Sequence, residues 1–166
     1  MKSWYLLYCQ TQKFHLVVSR ISNLGVSCYY PLESVIYKRS DRPSNRVTHK
    51  PLFPGYLFVH FDPEVIHTTT ISDIPGAHQF IRFSGMPSKV DDSVIQGFKS
   101  FQQVRINPKD QVIECINLSE DIANKISEIY LVNDHDYRNI LLMHLIESHQ
   151  DFVSQELQVF SLLSAC

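Results

Sequence analysis

Glycine is scarce in this chain, with five residues in 166 and none beyond Gly97. A glycine-rich phosphate loop is therefore excluded, and the last third must turn without the residue that best tolerates positive φ. The four cysteines, Cys9, Cys28, Cys115 and Cys166, lie far apart with no CxxC pair. That spacing signals neither a zinc site nor a disulfide framework, so no metal and no cofactor are expected. No apolar run is long enough to span a bilayer, and MKSWYLLYCQTQKF lacks the small-residue cleavage site of a signal peptide. A cytoplasmic protein without a membrane partner is expected. The eight histidines form no recognisable ligand set with cysteine or carboxylate, and no serine sits in a nucleophile elbow. The chain reads as a non-enzyme with no catalytic residue.

What is present is a charge gradient. Residues 1–50 hold eight Lys and Arg against two carboxylates, Glu33 and Asp41; residues 51–100 hold three against five, and residues 101–166 four against ten. The basic end suits nucleic acid, or the chain's own acidic tail. The densest apolar stretch is PLFPGYLFVHF, Pro51–Phe61, a strand composition entered through a Pro-Gly turn and apolar on both faces. Such a strand needs cover on each side, one from the domain's own core and one from a helix or a partner. Before it, Trp4–Tyr8 reads as a strand, and Phe14, Val17, Val18, Ile21 and Leu24 mark one face of a helix that stops at Gly25. Val26–Pro31 and Ser34–Tyr37 read as strands, the latter leading into a basic hairpin over Lys38–Lys50. Glu64–Ile71 reads as a short helix or turn and His78–Phe83 as a strand. Asp91, Asp92 and Ser93 open a helix striped by Val94, Ile95, Phe98 and Phe101. The fold class expected is α+β, an antiparallel sheet flanked by helices.

PLFPGYLFVHFDPEVIHTTTI, with SWYLLYC at Ser3–Cys9 and FIRFSGMPSKV at Phe80–Val90, resembles the amino-terminal domain of the NusG family of transcription elongation factors, closest to its specialised RfaH-like branch. The resemblance covers nearly all of residues 1–100. It implies three units: a NusG-type domain over 1–101, a linker over 102–110, where QQVRINPKD is polar and carries Pro108, and a carboxy-terminal KOW-related domain over 111–166.

The last unit has two readings. Ile122, Ile126 and Ile129 after the cap candidate Ser119, then Ile140, Leu141 and Leu145, make an amphipathic helical hairpin. Gln111–Ile116, Ile126–Val132, Arg138–Ile146 and Phe152–Val159 are equally rich in strand formers and suit a small KOW-like β-barrel. The missing glycines favour the helical hairpin, which is the form expected in the free protein.

The resemblance also implies partners and site residues. Phe53, Tyr56, Phe58, Ile95 and Phe98 match the pocket that grips the clamp helices of the RNA polymerase β′ subunit; their ordinary alternative is the domain's own core. His67, Thr68 and Thr69 match the motif held to the gate loop of the β subunit, the alternative being a hydroxyl-rich turn that caps backbone amides. Gln10, Lys13, Arg20, Asn23, Ser72, Ile74 and Pro75, with Trp4, match positions beside the non-template DNA strand. A monomer acting as an antitermination factor follows, with its tail as an autoinhibitory lid and, in a released barrel form, as a recruiter of a ribosomal protein. The relatives' interdomain clasp pairs a carboxylate at the position of Lys50 with the arginine matching Arg138. Both are basic here, so that clasp cannot exist in the same form: either another acid replaces it or the lid is looser. The rival class is a nucleic-acid-binding module that acts without polymerase.

Overall fold

The computed structural model describes the backbone of residues 1–38, 45–106 and 119–163, and the side chains of 1–34, 48–101 and 119–149. A sheet in the order β2 (Ser27–Tyr29), β5 (Tyr56–Phe61), β1 (Ser3–Cys9), β6 (Ala77–Phe80), with β9 (Lys89–Val90) also on β1, forms the middle layer, and β7 (Arg82–Phe83) and β8 (Met86–Pro87) pair as a separate small hairpin. Every pairing in it is antiparallel. Alternation along β1 sends Tyr5, Leu7 and Cys9 to one face and Trp4, Leu6 and Tyr8 to the other, as the two-residue period of a strand requires. β5 divides the same way, with Leu57, Val59 and Phe61 on the first face and Tyr56 and Phe58 on the second. The Pro51–Phe61 stretch is thus covered on both sides, as its composition demands.

The first face is sealed by α1 (Phe14–Asn23) and the short α2 (Thr68–Ser72) through Phe14, Val17, Ile21 and Ile71, all buried. α1 ends where the stripe predicts: Gly25 at φ 72° donates to the Ser22 carbonyl, a conformation that a side chain would strain. The second face carries α3 (Asp92–Ile106), α4 (Glu120–Leu131) and α5 (His135–Leu163), whose buried residues share one cluster with Leu6, Phe53 and Phe58.

Boundaries differ from the sequence reading in three places. β3 (Leu32–Lys38) pairs along its whole length with β4 (Asn45–Pro51), so strand pairing occupies most of the segment read as a polar hairpin loop. Its tip, 39–44, lies outside the described residues. Pro51 therefore ends one strand and Tyr56 begins the next, with Leu52–Gly55 as the turn between them. Third, α3 continues to Ile106, into the stretch expected as linker; the remainder of that stretch and the strand expected at Gln111–Ile116 lie outside the described residues.

The described part of the carboxy-terminal segment, residues 119–163, is a pair of helices. Ser119 accepts from the Ile122 amide and caps α4, as expected, and Asp134 accepts from the Tyr137 amide at 2.7 Å to start α5. The spans Ile126–Val132 and Arg138–Ile146 that also suited a barrel therefore lie in the helical hairpin.

Candidate functional site

The five expected clamp-contact residues come together. Phe53, Phe58, Ile95 and Phe98 are each at most 1% exposed, and Tyr56 is half-buried at the edge of the same cluster. Phe98 stands edge-on to Phe53 at 5.5 Å and tilted to Phe58 at 6.1 Å, the offset geometry aromatic rings prefer. They are buried because α4 and α5 complete the cluster with Ile122, Ile126, Ile129, Leu142, Leu145 and Ile146. Tyr130 of α4 stacks on Phe101 of α3 at 5.9 Å and 11°. Each fully buried aliphatic is worth roughly 2 kcal/mol against exposure, so the hairpin's hold on the sheet is mainly apolar.

A polar fastening adds to it. Arg138, the one charged side chain among the buried described residues, sends Nη2 to Oε2 of Glu33 at 2.8 Å, while its Nε donates to the Val132 carbonyl. Both side chains are largely withdrawn from water, at 4% and 15% exposure. Glu33 lies on β3 directly opposite Lys50 of β4. Arg138 of the hairpin is thus tied to the strand next to the one that carries Lys50. The pair is incompletely satisfied, since Arg138 Nη1 and the neighbouring Asn139 Oδ1 are buried without a hydrogen-bond partner.

His67 caps α2. Its Nδ1 accepts from the Thr69 amide at 3.3 Å and lies 2.9 Å from the Thr69 hydroxyl. An Nδ1 that accepts places the imidazole proton on Nε2, leaving a neutral donor. The ordinary reading of HTTT as a capping turn is thus half realised, with the histidine as the cap. Ser72, half-buried, donates its hydroxyl back to the Thr68 carbonyl at 3.0 Å. His67 and Thr68 open onto a cavity of about 930 Å³ whose walls include Lys2, Arg82 and Asp92, with His149 of α5 on its rim.

The DNA-contact candidates separate into three places. Arg20 and Asn23, exposed at the end of α1, join Leu24, Thr70 and Ile74 around a shallow depression of about 230 Å³ between α1 and α2. Gln10 and Lys13 lie at the opposite end of α1, where the Gln10 amide donates to the Gly76 carbonyl at 2.8 Å. Trp4 is on the other face of the sheet, its ring stacked on His60 at 4.7 Å and covered by Lys99 Nζ at 5.7 Å, so the structure does not bring it beside α1. Cys9 is a buried thiol and Cys28 a half-buried one: burial, then the neighbouring Cys28, pushes Cys9 up to about 12, and burial pushes Cys28 up to about 11. Neither is a nucleophile at neutral pH.

Sequence reasoning missed Glu33, Thr70 and Leu24. Glu33 carried a signal, being one of two carboxylates in the strongly basic first fifty residues. Thr70 and Leu24 carried none, because their role depends on how α1 and α2 pack.

A family model described as transcription termination factor NusG matches residues 2–99, more than half of the chain. Among solved structures, one described as domain interaction in Thermotoga maritima NusG aligns at 19% identity, covering 63% of this chain and 59% of that chain, with a TM-score of 0.40. The chain thus matches less than two thirds of the length of that structure. Among the described residues no helix is long and apolar enough to cross a membrane.

Proposed function

The chain belongs to the NusG family of transcription factors, proteins that act with RNA polymerase, and from that premise we propose that it is an elongation and antitermination factor of the RfaH-like branch. Its aromatic cluster, Phe53, Tyr56, Phe58, Ile95 and Phe98, grips the clamp helices of β′. His67, Thr68 and Thr69 hold the gate loop of β, for which the adjoining cavity offers room and a neutral imidazole donor. Arg20 and Asn23, beside Thr70, face the non-template strand, with cationic neutralisation of phosphate and an amide for a base edge. Bridging clamp and gate loop favours the closed enzyme, and that differential binding is the whole mechanism. No chemistry of its own is needed.

The observation that carries this reading is the double duty of one surface. The residues expected to meet the clamp helices are the ones the α4–α5 hairpin covers, and a buried ion pair fastens the cover. The hairpin is therefore an autoinhibitory lid in competition with the clamp helices.

The test is Glu33→Ala in the full chain. Removing one member of a buried pair costs about 3 kcal/mol, because it strands the other charge, here on the lid side of the contact. Affinity for core polymerase should rise, by up to about 100-fold if all of that cost falls on the closed state. Unchanged affinity would remove the lid, and absence of polymerase binding in wild type, Glu33→Ala and a chain truncated after Phe101 would remove the clamp reading.

A further inference from the structure

His67 and Thr68 form one wall of the large cavity, and the β7–β8 hairpin forms another through Arg82, Phe83, Met86 and Pro87. The hairpin is tight. Arg82 pairs with Pro87 and Phe83 with Met86, which leaves Ser84 and Gly85 to make the turn. Both take positive φ, 55° and 86°, the two-residue turn whose twist suits paired strands. Its base is pinned to the main sheet: the Phe83 amide donates to the buried Ser88 hydroxyl at 2.8 Å, the Ser88 amide to the Ile81 carbonyl at 3.0 Å, and the Ile81 amide to the Leu6 carbonyl of β1 at 2.8 Å. Phe83 packs against the buried aromatic cluster. The hairpin is a held arm, and its side chains are presented in a fixed direction.

Two of those side chains do nothing for the fold. Met86 is 74% exposed beside the turn, and Arg82 is exposed, its guanidinium making a long 3.4 Å contact with the Gly85 carbonyl within the same turn. Methionine adapts to irregular apolar partners, and both methionine and arginine are enriched where protein interfaces form. The charges around the cavity narrow the class of partner further. Lys2 stands with Arg82 among the lining residues, but so do Glu64, Asp91 and Asp92. Three carboxylates repel a nucleic-acid backbone, whereas a polypeptide loop that brings an acid and an apolar side chain meets complementary groups.

We propose that the β7–β8 hairpin is the second jaw of the site that begins at His67 and Thr68: the gate loop of the polymerase β subunit enters the cavity, placing a carboxylate on Arg82 and an apolar side chain against Met86. The jaw rests on the gate-loop reading of HTT and adds a contact on a different element that selects among loops. A neutral imidazole donor accepts any loop with an acceptor to offer. A guanidinium fork asks for an acid, so Arg82 sets which loops fit.

The experiment measures the affinity of the full chain for two core polymerases, one intact and one with the β gate loop deleted. Arg82→Glu should weaken binding to the intact enzyme by at least about tenfold and Met86→Ala by about threefold, and both losses should vanish on the enzyme without the loop. Arg82→Lys keeps the charge without the fork and should fall between wild type and Arg82→Glu. Wild-type affinity in Arg82→Glu would overturn the jaw, and so would losses that persist in full on the loopless enzyme. Met86 and Arg82 are exposed, so an unchanged thermal midpoint is expected and confirms that each variant is folded. His67→Ala separates the jaw from the reading beneath it. Should its loss vanish on the loopless enzyme while that of Arg82→Glu persists, the gate-loop reading stands and the jaw falls. Should deletion of the loop change neither wild type nor His67→Ala, the gate-loop reading falls and takes the jaw with it.

Discussion

At the residue scale, His67 has a structural role and a proposed contact role in one ring, and the two can be separated by size of effect. Its Nδ1 caps a helix of only five residues, so His67→Ala should cost no more than about 1 kcal/mol in denaturant unfolding. If Nε2 also meets the gate loop, pause suppression in a purified transcription assay should fall well beyond what that small loss explains. A proportionate fall in both would reduce HTTT to its capping role. Glu33 shows how far single residues were readable. With Lys50 and Arg138 both basic, the sequence left open whether another acid would meet the arginine or the hairpin would be held more loosely. Which acid filled the place depended on a strand register that sequence spacing does not encode.

At the element scale, the stripe along α1, the strand text of β1 and β5, and the caps at Ser119 and Gly25 were all legible because each is a local pattern that local physics enforces. The aromatic cluster was legible as a set of residues, while its burial was not, since the cover comes from a segment some sixty residues away in the chain. The pairing of β4 was hidden because NRVTHKP has polar composition and takes its strand form from its partner β3. Trp4 was misplaced relative to α1 because its strand neighbours do not say which face of the sheet a helix will choose. The helical hairpin itself is tested at this scale. Ile126 is fully buried between α4 and the sheet, so Ile126→Asp should detach the hairpin while leaving the sheet folded. The expected readout is loss of amide protection confined to α4 and α5 in hydrogen exchange. Uniform loss across β1 and β5 would mean that the hairpin is a structural part of the sheet's core and not a cover.

At the scale of the whole molecule, burial has set several groups against ionisation in the same direction. Cys9 and Cys28 are pushed up to about 12 and about 11 from an ordinary 9.0, and burial also raises Tyr5, Tyr29 and Tyr56. Each group is raised in the folded state, so its contribution is intact below the unfolded value. It is lost as pH climbs through the interval up to the folded one. Stability should be flat up to about pH 9 and then decline, with a thermal midpoint lower by several degrees at pH 10.5, on the order expected for a domain of this size. Cys28→Val should make the decline shallower between pH 9 and about pH 11. A midpoint indifferent to pH over that range would show that these groups are open to water.

The register of β3 and β4 has a consequence for how such molecules vary. Cross-strand neighbours stand about 5 Å apart, well within the reach of an arginine, so a negative charge can change strands without leaving its counterpart's grasp. An acid at position 33 or one at position 50 would each stand within reach of Arg138, so the fastening in space does not depend on which strand carries it. Column-by-column comparison would score such an exchange as a broken contact, whereas the geometry would keep it as a transfer between adjacent lanes.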